Sequence, residues 1–305
     1  MTDKTWTLPD GVYTALVTPL RDGALDRDAW RRLVGRQIAG GVAGIVPAGS
    51  TGEGATLTAA EREWLVRECV ALTRGRCAVI AGAGTNATAT TIEAVRAVRD
   101  WGADAAMVVT PYYNKPQQHG LLAHFRAVAR AVELPLVVYN VPGRTGVNLL
   151  PATAALLSTE PNVVALKEAS GNLDQIEEAI ERCNLKVLSG DDGLNFPIWG
   201  RGGRGSISVV SNLLPGTVAR MWRAWTAGDV GQAWSLSRAL DPVVKACFLE
   251  SNPVPVKELL HLAGLCAREP RLPLATVAPP TAERLAAFFH DTLAPLLARD
   301  GEAPA

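Results

Sequence analysis

The residue whose type and position could do chemistry most directly is Lys167. It follows an apolar run, Val-Val-Ala-Leu at residues 163–166, which is typical of a β-strand buried on both faces. Burial disfavours the charged ammonium and can lower the pKa of a lysine by roughly 3–5 units. An amine with a lowered pKa can attack a carbonyl carbon and form a Schiff base near neutral pH. The alternative is a lysine that extends from the strand end into water.

Polar side chains and glycines also follow the other apolar runs of the chain. They lie at residues 18–19, 49–53, 82–84, 110–114, 139–146, 190–192 and 211–212. Ser50 and Thr51 provide adjacent hydroxyls in a glycine-rich stretch whose N–H groups could bind a carboxylate. The phenol of Tyr139 could transfer protons, and Arg144 could bind a substrate carboxylate. Each pattern alone also fits a capped turn, an ordinary strand-end tyrosine or a surface ion pair.

Eight apolar runs with the character of strands alternate with helical patterns. The strands are predicted at residues 13–19, 44–49, 78–84, 105–111, 134–141, 163–169, 185–190 and 205–211. The helices are predicted at residues 26–39, 59–73, 88–101, 117–132, 151–158 and 173–182. This alternation predicts an α/β fold, a (β/α)8 TIM barrel, in which the strand ends carry the chemistry. An open doubly wound sheet is disfavoured because no glycine-rich nucleotide-binding turn follows the first strand.

Beyond residue 213 only helical patterns remain, at residues 218–225, 230–248, 255–263 and 282–297. We therefore expect a catalytic barrel over residues 1–225 and a C-terminal helical extension over residues 226–305 that packs on it. Trp222, Trp225 and Trp234 are expected to fill the seam between them. The run Gly-Arg-Gly-Gly-Arg-Gly at residues 200–205 precedes its strand, so we interpret it as a helix-to-strand connection at the non-catalytic end.

Composition argues against several classes of protein. The chain has 305 residues, of which 48% are hydrophobic, as expected of a globular protein. Lys+Arg and Asp+Glu number 30 each, so no net charge favours nucleic acid or anionic lipid. No apolar run reaches the roughly 18 residues of a membrane span, and the first residues lack a signal-peptide core, so we expect a cytoplasmic protein. Five cysteines without a CxxC pair and four scattered histidines predict neither disulfides nor a metal site.

Taken together, these stretches resemble the dihydrodipicolinate synthase family, within the pyruvate-dependent class I aldolases that include N-acetylneuraminate lyase. The motifs that carry the resemblance are Gly-Ser-Thr-Gly-Glu at 49–53, Tyr-Tyr-Asn at 112–114, Tyr-Asn-Val-Pro-Gly-Arg-Thr-Gly at 139–146, Leu-Lys-Glu-Ala at 166–169, Ser-Gly-Asp-Asp at 189–192 and Asn-Pro-Val-Pro-Val-Lys at 252–257. They occur in the order and spacing of the family, from about residue 11 to about residue 267. Six motifs in order make the resemblance specific.

The resemblance implies a reaction and a role for each matching residue. Lys167 would form an imine with pyruvate, and the derived enamine would attack L-aspartate 4-semialdehyde to give 4-hydroxy-tetrahydrodipicolinate. Tyr139 would give and take protons at the imine. Ser50 and Tyr113 would complete a proton relay, with Tyr113 reaching in from a neighbouring subunit.

The remaining matches concern binding and assembly. Thr51 would hold the pyruvate carboxylate and Arg144 the semialdehyde carboxylate, while the carbonyl groups of Gly190 and Ile207 would border the pocket. The family's mechanism needs no metal or organic cofactor. The family is usually a homotetramer, a dimer of dimers.

One departure from the family pattern bears on the substrate. Ser50 stands where these synthases commonly have threonine, and serine there is also common in neuraminate lyases. Arg144 with its preceding glycine, and the run at residues 190–192, favour the synthase. The alternatives are a sibling aldolase that acts on a sugar acid such as N-acetylneuraminate or 2-keto-3-deoxygluconate, and a barrel that binds a ligand without catalysis.

A second departure concerns feedback by L-lysine, which binds some members at a subunit interface. Asn86 and Tyr112 match that allosteric site. Ala59, Arg62 and Thr90 stand where lysine-sensitive members tend to have two histidines and a glutamate. Because the carboxylate at residue 90 is missing, the effector's ammonium would lose its partner. We predict weak or absent inhibition by L-lysine.

Overall fold

A computed structural model describes residues 7–300, and its main sheet is a closed barrel of eight strands. In chain order the strands are β1 (Gly11–Ala15), β2 (Gly44–Val46), β3 (Ala78–Gly82), β4 (Ala105–Val109), β5 (Leu136–Asn140), β6 (Val163–Glu168), β7 (Lys186–Ser189) and β8 (Gly205–Ser208). Each strand is hydrogen-bonded to its neighbours in sequence, and β8 pairs with β1. The predicted TIM barrel is therefore confirmed.

Helices alternate with the strands and continue after the last one. They are α1 (Arg27–Gly40), α2 (Ala59–Thr73), α3 (Thr88–Asp100), α4 (Gln118–Ala131), α5 (Pro142–Thr145), α6 (Pro151–Leu157), α7 (Leu173–Arg182), α8 (Asn195–Gly200), α9 (Pro215–Thr226), α10 (Val230–Cys247), α11 (Val254–Leu262), α12 (Pro279–Phe288) and α13 (Ala294–Asp300). A π-helical stretch, Phe289–Leu293, connects the last two. Within residues 7–300, none of the helices is both long and apolar enough to cross a membrane.

Local sequence explains where several helices begin. Thr58 and Glu61 form a capping box at the start of α2, in which each side chain accepts a hydrogen bond from the other's backbone N–H. Asp26 caps α1 by accepting from the backbone N–H of Ala29 at 2.9 Å. Gly41 ends α1 in the left-handed region, at φ +73°, which glycine adopts without a steric penalty.

The structure corrects several of the predicted elements. The strands end earlier than predicted; β1, for example, ends at Ala15 and not at residue 19. The short helices α5 and α8 and a two-stranded hairpin, Leu20–Arg21 with Ala24–Leu25, were not among the predicted elements. The helix predicted over residues 282–297 is three successive segments.

The expectation for Trp234 is wrong. Its side chain is 51% exposed and does not fill a seam, because it lies on an outward face of α10. The guanidinium of Arg238, one turn further along, lies 5.9 Å from the centroid of its ring. The connection at residues 200–205 does lead from α8 into β8, as predicted.

The contacts of the chain group into two units. The first unit contains Ile80–Ile207 and the described residues up to Asp10, and its core includes Val137, Val138 and Leu166. The second contains Gly11–Val79 and the described residues from Ser208 onward, and its core includes fully buried Trp30 and Ile45. The domain boundary expected after residue 225 stays a prediction.

Candidate active site

Lys167 lies on the inner face of the barrel beside Tyr139. The two residues are directly paired in the β5–β6 ladder, and the lysine Nζ is 4.1 Å from the centroid of the tyrosine ring. Both side chains are 5% exposed. Because successive side chains of a strand alternate between faces, Glu168 points to the opposite, helix-covered face. The sequence predicts Tyr139 and Lys167 near the ends of two consecutive strands, and the structure places them side by side.

The environment of Lys167 favours its neutral, nucleophilic form. Burial lowers the pKa of the Lys167 amine to about 7, the negative charge of Asp192 opposes this shift, and the positive charge of Arg144 adds to it. An amine with a pKa near 7 is about half neutral at that pH, whereas an unperturbed lysine is almost entirely protonated. The lysine is therefore suited to attack a carbonyl group.

Glycine at residue 190 leaves room for the lysine side chain. A Cβ atom at this position would lie 3.1 Å from Cε of Lys167 and 2.8 Å from Cβ of Ala169. Both contacts are too close for ordinary packing, so a larger residue would displace the lysine. Gly190 is fixed there by its N–H, which donates to the carbonyl oxygen of Glu168 at 2.8 Å. Ile207, the other predicted border residue, is 1% exposed on β8.

A buried polar network holds the outer face of β5 and β6. Glu168 accepts hydrogen bonds from Nδ2 of Asn140 at 3.0 Å and from the backbone N–H of Ser170 at 2.6 Å. Burial raises the pKa of Glu168, and these hydrogen bonds oppose that shift. Asn140 in turn accepts from the N–H of Leu149 at 2.9 Å, which fixes the segment after α5. Asn140 and Glu168 lie within two of the sequence motifs, but no role was predicted for them. Their polar side chains on the outward face of apolar strands were a usable signal.

Arg144 is presented by a short helix directly after Tyr139 and is exposed. Two threonines fix this helix. The Thr145 hydroxyl donates to the carbonyl oxygen of Val141 at 3.1 Å and accepts from the Thr110 hydroxyl at 3.3 Å. The guanidinium therefore extends from an anchored turn at the carboxyl end of β5, near enough to influence the pKa of Lys167.

Tyr113 is exposed in the single chain. Its side chain is 87% exposed and its backbone has φ +76°, in the left-handed region, while Tyr112 is 38% exposed. The following residue, Asn114, donates from Nδ2 to the carbonyl oxygen of Asn86 at 2.8 Å. A non-glycine residue with positive φ at a strand end is often part of a functional site.

Ser50 and Thr51 belong to an irregular turn that follows β2 in the second unit. Ser50 is exposed, whereas Thr51 is 3% exposed. The Thr51 hydroxyl accepts a hydrogen bond from Nδ2 of Asn252 at 2.9 Å, and the carbonyl oxygen of Gly52 accepts one from the Thr18 hydroxyl at 2.7 Å. Asn252 therefore supports Thr51 although 201 residues separate them in the sequence.

Ala59, Arg62 and Thr90, which the sequence resemblance relates to the allosteric site of some family members, carry no carboxylate. Ala59 and Arg62 lie on α2 and Thr90 lies on α3, where Ala59 and Thr90 are exposed. Arg62 donates from Nη2 to the carbonyl oxygen of Gly54. Over residues 7–300, no cluster of three histidine, cysteine, aspartate or glutamate side chains could hold a metal ion.

These observations are those of a Schiff-base-forming enzyme built on a barrel. The fold is a (β/α)8 barrel, and a buried lysine with a lowered pKa is the next-to-last residue of its sixth strand, beside a tyrosine. The model of the dihydrodipicolinate synthetase family matches residues 8–291. The chain belongs to this family, as the sequence motifs predicted.

Similar proteins agree with this assignment. A 4-hydroxy-tetrahydrodipicolinate synthase of Pelobacter propionicus is 49% identical over 267 residues, which cover 87% of this chain and 92% of the relative. The crystal structure of dihydrodipicolinate synthase from Thermotoga maritima matches with a TM-score of 0.91 at 40% identity, covering 96% of this chain and 99% of that one. The chloride-inhibited synthase from Acinetobacter baumannii, complexed with pyruvate, matches with a TM-score of 0.90 at 39% identity, covering 97% and 99%.

Proposed function

We propose that the chain is a Schiff-base-forming synthase that condenses pyruvate with L-aspartate 4-semialdehyde to 4-hydroxy-tetrahydrodipicolinate, a step of diaminopimelate and lysine biosynthesis. The observation that carries this function is the buried Lys167, whose pKa is lowered to about 7, beside Tyr139 in the barrel. The similarity to 4-hydroxy-tetrahydrodipicolinate synthases over most of the chain supports the choice of substrates.

The reaction begins at the amine of Lys167. Its neutral Nζ attacks the ketone carbon of pyruvate, and loss of water gives an imine. Loss of a proton from the methyl group converts the imine to an enamine, whose carbon attacks the aldehyde. The amino group of the semialdehyde unit then attacks the imine carbon of the adduct, which closes the ring and releases the amine of Lys167. We propose Tyr139 as the group that gives and takes these protons, because its ring already lies against the lysine. The imine withdraws electrons from the reacting carbon, so the reaction needs no metal or organic cofactor.

Two carboxylates must be bound for this reaction. We assign the pyruvate carboxylate to Thr51, whose hydroxyl is buried and held in place, and the semialdehyde carboxylate to the exposed guanidinium of Arg144. Gly190 and Ile207 border the pocket, and the small residue at 190 leaves space beside the lysine.

A proton relay through Ser50 and Tyr113 requires a second subunit. Tyr113 is 87% exposed in the single chain, as expected of a side chain that functions at an interface. We therefore propose at least a dimer, and a homotetramer of two dimers by analogy with the family. Tyr113→Phe should lower turnover about 100-fold through loss of proton transfer, whereas Tyr112→Phe should leave turnover nearly unchanged. Equal turnover of both variants would make Tyr113 a packing residue.

Borohydride trapping tests the central step. With pyruvate present, reduction should attach the three-carbon unit irreversibly to Lys167, detected by mass spectrometry of the digested protein. A protein without any adduct would be a ligand-binding barrel. An assay coupled to a reductase that consumes the product then tests the second substrate. Activity on sugar acids alone would identify a sibling aldolase instead.

Inhibition of the enzyme by L-lysine is a further part of this proposal. L-lysine should inhibit weakly or not at all, since Ala59, Arg62 and Thr90 offer no carboxylate to its ammonium. Half-maximal inhibition below about 1 mM, the upper end of ordinary metabolite-binding constants, would contradict this.

We propose a cytoplasmic enzyme with a catalytic barrel at residues 1–225 and a helical region at residues 226–305.

A further inference from the structure

The segment Asn-Pro-Val-Pro-Val-Lys at residues 252–257 has no role in the function proposed so far. It leads into α11, and its side chains at 252 and 257 are 6% and 0% exposed, respectively. Both side chains make hydrogen bonds to the turn after β2, which contains Thr51 and Glu53. Buried polar side chains are costly unless they are paired. Two such contacts from one segment to one turn therefore indicate that the segment holds the turn in place.

The first contact fixes the turn as a whole. Nζ of Lys257 lies 2.5 Å from Oε1 of Glu53 and donates to the carbonyl oxygen of Thr18 at 2.9 Å. The second carboxylate oxygen of Glu53 accepts from the backbone N–H of Arg271 at 2.7 Å. The backbone of Glu53 has φ +54°, a conformation that a non-glycine residue keeps only when its surroundings hold it. This ion pair therefore anchors the turn.

The second contact orients a single hydroxyl. Nδ2 of Asn252 donates to Oγ1 of Thr51 at 2.9 Å, inside the protein. A hydroxyl has one proton to donate, and an amide N–H that donates to its oxygen leaves that proton free for another acceptor. Accepting this hydrogen bond also polarises the hydroxyl and strengthens it as a donor. Thr51 is thereby prepared to donate to an anion.

We propose that Asn252 is a positioning residue that directs the Thr51 hydroxyl toward the carboxylate of the α-keto acid. It thereby gives the enzyme its preference for substrates with a carboxylate next to the reacting carbonyl. This inference rests on the function proposed above, in which Thr51 binds the pyruvate carboxylate. Asn252 itself does not contact the reacting atoms.

The test compares pyruvate with pyruvamide, its uncharged isostere, in borohydride trapping at Lys167. The measured quantity is the concentration of each compound that gives half-maximal adduct. In Asn252→Ala this concentration should rise about 10-fold for pyruvate, the effect of one lost charge-assisted hydrogen bond, and less than about 3-fold for pyruvamide. Asn252→Asp is nearly isosteric, but its carboxylate accepts the Thr51 proton. It should raise the half-maximal concentration of pyruvate at least as much as Asn252→Ala does.

A matched asparagine controls for general loss of stability. Nδ2 of Asn162 donates to the main-chain carbonyl groups of Ala129, Val132 and Leu134, so Asn162→Ala should lower the melting temperature without changing either concentration. Equal weakening of pyruvate and pyruvamide in Asn252→Ala, or no change for either, would overturn the positioning role. A wild-type protein without any pyruvate adduct would instead refute the proposed function, and the role of Asn252 with it.

Discussion

Two buried lysines occupy opposite kinds of environment in this protein. Lys167 is the next-to-last residue of β6 and lies beside an aromatic ring, and burial lowers the pKa of its amine to about 7. Lys257 on α11 is fully buried, but its ammonium lies 2.5 Å from the carboxylate of Glu53. Burial lowers the pKa of Lys257 as well, and the charge of Glu53 opposes this shift.

In the proposed function, this difference separates a nucleophile, Lys167, from a structural cation, Lys257. An adjacent carboxylate stabilises the charged form of an amine, which then has no lone pair to attack a carbonyl. At Lys167 the charges of Asp192 and Arg144 act in opposite directions, so desolvation decides the outcome. Burial alone therefore does not identify the reactive lysine; the partners of the amine do.

Removing the amine of Lys167 should have the largest effect on activity. Lys167→Met should lower turnover at least about 10⁴-fold, as expected when a covalent nucleophile is lost. The free energy of unfolding should not decrease, because the variant no longer buries an ionisable group at a cost. The coupled assay and urea unfolding measure the two quantities. A variant with turnover within 10-fold of wild type would show that another group forms the imine.

Removing Lys257 should instead affect stability. Lys257→Met leaves the carboxylate of Glu53 buried without its cation, which should lower the free energy of unfolding by about 3–5 kcal/mol. The double variant Lys257→Met/Glu53→Gln should recover much of this loss, because no buried charge remains and the glutamine oxygen still accepts from Arg271. Urea unfolding of all three proteins measures this. A loss below about 1 kcal/mol in Lys257→Met would mean that the pair is weakly coupled to folding.

The pH dependence of imine formation should follow Lys167. With a pKa of about 7, the neutral amine increases from roughly a tenth to nine tenths of the population between pH 6 and pH 8. The rate of adduct formation at low pyruvate should therefore rise about 10-fold over this range and level off above it. Stopped-flow or quenched trapping measures the rate. A midpoint above pH 9 would mean that burial does not lower the pKa of Lys167 and that its amine is exposed to water.

Stability should respond to pH in the same direction. The pKa of Lys167 is about 7 in the folded state and 10.5 for an unperturbed lysine. Between these values the unfolded chain binds more protons, so the contribution of Lys167 to the free energy of unfolding becomes more favourable as the pH rises. Lys167→Met should lack this contribution, which makes it the control for titration of all other groups.

The smallest expected effect is that of Asp192 on the midpoint of the pH–rate profile. The charge of Asp192 raises the pKa of the lysine, so Asp192→Asn should move the midpoint of the pH–rate profile to lower pH. Asp191→Asn is the matched control, since the adjacent Asp191 caps a turn through the N–H of Gly193. Identical midpoints in both variants would assign the tuning of Lys167 to burial and Arg144 alone.

The sequence predicted the barrel and the placement of Tyr139 and Lys167 on consecutive strands for the same reason. Apolar runs specify buried strands, and consecutive strands of a parallel barrel are neighbours, so Tyr139 and Lys167 had to lie side by side. Strand ends were predicted less well, because residues 16–19 are as apolar as β1 itself but leave the sheet. The contact between Asn252 and Thr51 was not predictable, since periodicity carries no information about partners 201 residues apart.

The adjacency of Lys167 and Glu168 has a consequence for strand register. Because successive side chains alternate between faces, a shift of β6 by one residue would place the carboxylate inside the barrel and the amine among the helices. It would also remove the hydrogen bonds from Asn140 and from the N–H of Ser170 to Glu168. A misregistered barrel would thus be both inactive and unstable. The proposed chemistry of β6 and the selection of its correct register therefore depend on the same two residues, Lys167 and Glu168.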